Sequence, residues 1–410
     1  MPLRRVVITG MGAVSPFGRG VDTLMDGLLQ GRSGVRSLPE LADIRGMRTR
    51  VGAPVPEVDA AEIPRKFRRS MSRMSVFAAL AARDAAAQGG LAGEHFRGGR
   101  LGVSIGSTVG SPRTTEEFFA DFHSDRSVER MKSTVFFHIM NHTCAANVAH
   151  AFGITGRIVS PSGACSTGCL AVGYAAEMIA MGKQDLMLCG GADEFHPLTA
   201  GTFDIMTAAS VRYNDSPAST PRPFDAGRDG VVCAEGGGVL LLESLDSALG
   251  RGAEVLAEVL GFASTSDPES IANPNAAGIA HCMREAMRDA GVGPEEIDYI
   301  NAHATGTELG DIAESKAISS IFGDKVPASS LKGNFGHAMA ASGALEISAS
   351  VEMLRRETVL PTHNLEEIDP ACGSIMHVRE AASLPIRTVL KNNFALGGVN
   401  SSIILRRFDR

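Results

Sequence analysis

The chain has 410 residues, 39 Lys and Arg against 46 Asp and Glu, 44% hydrophobic residues, 5% aromatic and no Trp. That length holds two domains or one large duplicated one, the core must be built from Ala, Val, Leu, Ile and Met, and a net charge of −7 excludes general nucleic-acid binding. Seven cysteines, odd in number and without CxxC spacing or paired His ligands, argue against a disulfide framework or a zinc site and for a reducing cytoplasm, and no apolar run reaches membrane-spanning length.

From Met1 the chain runs straight into a strand at 5–10, so no signal peptide is expected. The strand reads as ending in a turn at Gly10. Gly10-Met-Gly12 lacks the third glycine of a dinucleotide fingerprint, since position 15 is Ser, and is taken as turn geometry. Residues 23–31 read as a short amphipathic helix. Between 62 and 73, Arg65, Lys66, Arg68, Arg69 and Arg73 reverse the local sign of an acidic chain. Such a run is either a solvated face or a docking surface toward which the field steers a small acidic partner. An Ala-rich helix at 75–89 and a strand at 101–106 follow. Residues 113–135 read as a polar helical excursion, and 133–152 as apolar and irregular, with His138, His142 and His150 in packing or interface roles.

Residues 158–160 form a short apolar strand, 163–168 a tight turn, and 170–181 a buried helix without proline. A cysteine is most often a small core residue, and Cys169, one helical turn inward, is read that way. Cys165 sits instead on the turn at the helix N-terminus. There the partial positive charge and free N–H groups favour a thiolate and lower the thiol pKa, as covalent acyl transfer requires. Further strands are expected at 184–191 and 239–243, with a loop at 222–230 between them. The segment 244–254 is the expected boundary between a half at 1–250 and a half at 251–410. Beyond it come a helix at 277–290 and a strand ending at His303, followed by a Thr/Gly turn. Ser329 to His337 opens a small-residue helix, and Lys391 to Asn400 forms a glycine hairpin before the last strand.

Together these motifs resemble the β-ketoacyl-acyl carrier protein synthases, the condensing enzymes of fatty-acid and type II polyketide synthesis, most closely the type I branch. The likeness extends to Val7-Ile-Thr-Gly10, Arg32-Ser-Gly34, Gly110-Ser-Pro112, Gly182-Lys-Gln-Asp185, Tyr213-Asn-Asp215 and Arg228-Asp-Gly230. Thiolases share the fold but carry a second cysteine in the last glycine loop, where this chain has Phe394 and Leu396. The resemblance implies a thiolase-like α/β/α/β/α sandwich of two duplicated halves, acting as a cytoplasmic acyltransferase. It implies Cys165 as nucleophile, His303 and His337 as donors to the malonyl thioester, and Lys332 with Glu346 as a buried ordering pair. Backbone N–H groups of Cys165 and Leu396 would form the oxyanion hole, with Phe394 and Leu396 in the gate. Thr305 and Thr307 match the hydroxyls that hold the phosphopantetheine arm, and Asp311 and Glu314 the acids that brace their loop. Val109 falls on the acyl pocket, and Arg65, Lys66 and Arg69 on the carrier-protein docking stretch.

No cofactor beyond the carrier's own arm is implied. The expected partners are an acyl carrier protein and either a second copy or a chain-length-factor-like subunit. A non-catalytic chain-length factor would typically lack the nucleophile that this chain has. The sequence departs from the family at Ala304, Gly306 and 338–343, and most at Ala395-Leu396, where the family has Gly-Phe. An alanine in place of a hinge glycine is expected to restrict the gate, and the change points to a specialised substrate.

Overall fold

In the computed structural model, which describes residues 3–129 and 131–409, the first strand spans Val6–Ser15 and is buried throughout. Met1 and Pro2 of the expected N-terminus, Arg130 of the polar excursion and Arg410 lie outside the described residues. The turn expected at Gly10 does not form. Gly10 and Gly12 continue the strand because the helix Arg73–Gln88 lies against its backbone. A Cβ at these positions would come within 2.0 and 1.9 Å of the carbonyl oxygens of Ala85 and Ala81. These glycines mark a close approach of two elements, which a turn signal in the sequence does not distinguish.

The strands of the first half stand in the order Ile158–Val159, Leu101–Gly106, Leu186–Asp193, Gly236–Ser244, Val6–Ser15. Those of the second half stand in the order Pro327–Ser329, Tyr299–Asn301, Thr388–Ala395, Val399–Arg406, Ala257–Ser266, with Met376–His377 added at the outer edge. Apart from that edge strand and the two-residue strand Gly18–Arg19 beside Val6–Ser15, both halves place their strands, taken in chain order, as third, second, fourth, fifth, first. The parallel and antiparallel pairings also match. The halves join where Val6 to Ile8 pair antiparallel with Val259 to Ala257.

The helices Thr167–Ala180 and Ala340–Arg356 lie between the two halves and pack on strands of both. Arg73–Gln88 and Thr143–Phe152 cover the outer face of the first half, and Ala276–Ala290 with Glu308–Phe322 that of the second. The result is the five-layered α/β/α/β/α sandwich. Its two central helices are buried over most of their length, Glu177 and the terminal Arg355 and Arg356 reaching solvent, and their many Ala, Ser and Gly side chains allow that close packing. The stretch expected to be irregular, 133–152, instead forms two helices, Ser133–His138 and Thr143–Phe152. Cys144, Ala145 and Val148 of the second are buried in the first half's core, while His150 packs edge-on against Phe67 at 5.0 Å. Among the described residues, no helix is long and apolar enough to cross a membrane.

Candidate active site

Cys165 and His337 occupy corresponding places in the two halves, each between the third strand and its central helix. A short 3-10 turn, Ala164–Ser166, carries Cys165 into the helix Thr167–Ala180. Thr167 Oγ1 accepts the Gly163 N–H at 2.9 Å. Ser166 Oγ bonds the carbonyl oxygens of Asn393 at 3.0 Å and Val399 at 2.8 Å, tying the turn to the hairpin of the other half. The two central helices approach at Gly168 and Gly343. A Cβ on Gly168 would lie 2.4 Å from the Ala340 oxygen, and one on Gly343 2.4 Å from the Cys169 nitrogen. That contact brings the ends of both helices to one place.

There, Cys165 Sγ and a ring nitrogen of each of His303 and His337 lie within 4.8 Å of one another. The imidazoles meet edge to face with centroids 5.3 Å apart, and Phe394 packs edge-on to His303 at 6.1 Å. Glu314 fixes the main chain under His303, its oxygens accepting the N–H groups of His303 at 2.9 Å and Ala304 at 2.7 Å. His337 donates its main-chain N–H to Val232 O at 2.8 Å, and its Nδ1 contacts Ser342 Oγ at 2.9 Å. Its Nε2 is buried and has no partner among the described residues.

Burial, then the charge of Lys332, then for His303 its neighbour His337, and Lys391 hold both imidazoles well below the usual histidine range. They are therefore neutral and able to donate an N–H. Cys165 departs from expectation. Its side chain is 7% exposed and packs with Ala200, Cys233 and Met339. Burial pushes the thiol up to about 12, against a downward pull from Lys332. Desolvation by residues distant in sequence outweighs the helix terminus, which keeps Cys165 a thiol.

Below the histidines lies a charged cluster that sequence reading resolved only in part. Lys332 donates to Glu346, as expected. Lys391, on the strand Thr388–Ala395, reaches the other carboxylate oxygen at 2.8 Å, and all three side chains are wholly buried. Lys391 was missed as a site residue. Residues 391–400 read as a glycine hairpin, but the structure extends the strand through Lys391, and a lysine at a buried strand position must be paired. A thiol and two imidazoles this close are also a transition-metal donor set. Two buried ammonium groups beside them suit an anion there, not a cation.

A cavity of about 620 Å³ opens on this centre, lined by Cys165, both histidines, Phe394 and Leu396, with Arg212 along its wall. Thr305 and Thr307 line it too, their hydroxyls 3.0 Å apart. Asp311 braces their loop by accepting the N–H groups of Thr305 at 3.1 Å, Gly306 at 3.2 Å and Phe224 at 2.9 Å. Burial pushes its carboxyl up to about 7, opposed by the Phe224 N–H and Arg228. In the gate, positive φ falls on Gly397 and Gly398, while Ala395 pairs with Val399 as the last strand residue. In this conformation the turn asks Ala395 for no left-handed backbone.

Val109 is not brought to this cavity and stands exposed on the loop before the helix Pro112–Asp125. Arg65, Lys66 and Arg69 are exposed at the short helix Arg65–Arg68, also outside the cavity lining. Arg73 leaves that basic group, because it is bonded to Glu235 at 2.7 Å.

Residues 3–248 match the family described as Beta-ketoacyl synthase, N-terminal domain, and residues 256–366 the one described as Beta-ketoacyl synthase, C-terminal domain. The 3-oxoacyl-[acyl-carrier-protein] synthase 1 of Escherichia coli strain K12 is 38% identical over 408 residues, 99% of each chain. The crystal structure of a Beta-ketoacyl synthase from Burkholderia phymatum STM815 matches at a TM-score of 0.95 and 43% identity, over 99% of this chain and 100% of that one. AntDE:AntF, a type II PKS acyl-carrier protein in complex with its ketosynthase, matches at a TM-score of 0.92 and 31% identity over 100% of both chains.

Proposed function

Because this chain belongs to the β-ketoacyl synthase family, we propose that it extends acyl chains carried by an acyl carrier protein, by decarboxylative condensation with a malonyl unit. The observation that carries this reading is the convergence of one thiol and two neutral imidazoles above a buried pair of ammonium groups. In the first half-reaction, Cys165 Sγ attacks the thioester carbonyl, and N–H groups of Cys165 and Leu396 receive the oxyanion. The C–S bond to the arm breaks and the thiol's proton ends on the departing sulfur, so the step is neutral overall.

In the second, His303 and His337 donate to the malonyl thioester oxygen. The carboxylate leaves as CO2, its bonding electrons forming an enolate that the N–H donors and the ammonium field stabilise. The enolate carbon attacks the acyl-Cys165 carbonyl and expels the cysteine sulfur as a thiolate, which takes one proton from solvent, so the half-reaction consumes one proton overall. Thr305 and Thr307 hold the arm, and no further cofactor enters. Arg65, Lys66 and Arg69 are the proposed docking face for the acidic carrier. The test is intact-mass analysis of the protein with a short acyl carrier and a malonyl carrier. The reading requires a Cys165-dependent acyl adduct and a 3-ketoacyl carrier. An adduct without extension would point to a missing, different subunit or to the wrong starter chain, and no adduct from any acyl carrier would refute the reading.

A further inference from the structure

We propose that Asn393 is a positioning residue that holds His303 in the tautomer protonated at Nε2. The inference deepens the condensing reading above and rests on it. Asn393 is fully buried on the strand Thr388–Ala395, and its backbone is clamped from two sides. Its carbonyl accepts from Ser166 Oγ at 3.0 Å and Ser401 Oγ at 3.2 Å. Its neighbour Asn392 reaches Glu314 Oε1 at 3.3 Å, the carboxylate that anchors the His303 main chain. Strand and histidine are thus fixed relative to one another before the side chain of Asn393 is considered.

That side chain places Nδ2 at 3.3 Å from His303 Nδ1, while Oδ1 has no partner among the described residues. With the amide nitrogen toward the ring it can only donate, which makes Nδ1 the accepting nitrogen. A neutral imidazole has one ring proton, which is then on Nε2. Nε2–H is the donor that a thioester oxygen in the cavity needs. With the amide reversed, Nδ1 would carry the proton and Nε2 would offer the oxygen a lone pair. His337 is held differently, because Ser342 Oγ at its Nδ1 can donate or accept and so dictates neither tautomer. The structure therefore assigns the choice at His303 to a single side chain.

The test combines a spectroscopic readout with a kinetic ratio, both on the full chain. Nitrogen-15 NMR of protein labelled at histidine, with His303 identified by its loss in His303→Gln, reports which ring nitrogen is protonated without any substrate. The expected result is protonation at Nε2 in the wild-type protein and at Nδ1 in Asn393→Asp, because a carboxylate only accepts. In the same variant, malonyl-carrier decarboxylation should fall about 100-fold relative to Cys165 acylation, the loss expected for one oxyanion donor. Protonation at Nδ1 in the wild type, an unchanged tautomer in the variant, or an unchanged ratio would each overturn the proposal. If Asn393→Asp does not fold, the wild-type spectrum alone decides. If the wild-type protein turns over no carrier substrate, the condensing reading fails while the tautomer result stands.

Discussion

Glu346 is the residue at which a change of one atom should be felt most. One of its oxygens meets Lys332, the other meets Lys391 at 2.8 Å, and all three side chains are wholly buried. Glu346→Gln keeps the shape and removes the charge. The two ammonium groups, each bound to a different oxygen of one carboxylate, then stand about 6 Å apart and repel by about 3 kcal/mol at an effective dielectric near 20. Breaking a buried pair costs roughly 3–5 kcal/mol, because a desolvated charge is left behind. E346Q should therefore melt well below the wild-type protein. Adding K391M removes the repulsion and should restore about 3 kcal/mol of the loss, a coupling that independent sites would not show.

The deficit also has a pH signature. Burial already holds Lys332 below its usual range, and Glu346 is what opposes that fall. A lysine depressed in the folded state binds fewer protons there than in the unfolded chain, so stability rises with pH until the unfolded value near ~10.4. The loss in E346Q should shrink between about pH 7 and about pH 9. Thermal unfolding of the wild type, both single variants and the double variant across that range is the assay. A double variant less stable than E346Q, or a deficit indifferent to pH, would refute this description of the cluster.

Three further outcomes follow from the geometry. The His303 and His337 imidazoles are both depressed, so their contribution to stability is complete above about 6.5 and lost as pH falls below it. Malonyl decarboxylation should accordingly show no limb near pH ~6.5 in a rate profile, and a limb there would contradict neutral histidines. A thiol at about 12 predicts that iodoacetamide labelling at Cys165, read by peptide mass, climbs about tenfold per pH unit through about pH 9, where a thiolate site would plateau near neutrality. Glu314→Gln puts an amide N–H against the His303 or Ala304 N–H and should cost about 1–3 kcal/mol, seen as a lowered melting temperature together with slowed decarboxylation.

What the sequence revealed and what it hid divide along physical lines. The turn at Cys165 and the helix behind it were legible because glycines bound a short apolar run locally. The thiol's pKa was not, because the groups that desolvate it, Ala200, Cys233 and Met339, come from distant segments. The duplication leaves little trace in residues but is plain in the repeated strand order, which depends on crossovers and not on side-chain identity. Arg73 read as one more cation in a basic run until its partner Glu235, 162 residues away, took it out of the patch. Gly10 and Gly12 show the same limit: a glycine needed for a helix to touch a strand reads like a turn until the helix is placed.

On the proposed function, loss of CO2 belongs to the two imidazoles and the ammonium field beneath them, while Cys165 only carries the acyl group. The most direct measurement is CO2 release and 3-ketoacyl product from malonyl carrier, side by side, for the wild type, Cys165→Ala and His303→Ala. Cys165→Ala should form no product yet release CO2 within about tenfold of the wild type, and His303→Ala should lose CO2 release by about 100-fold. CO2 release that vanishes with the thiol, or that survives without His303, would contradict the claim.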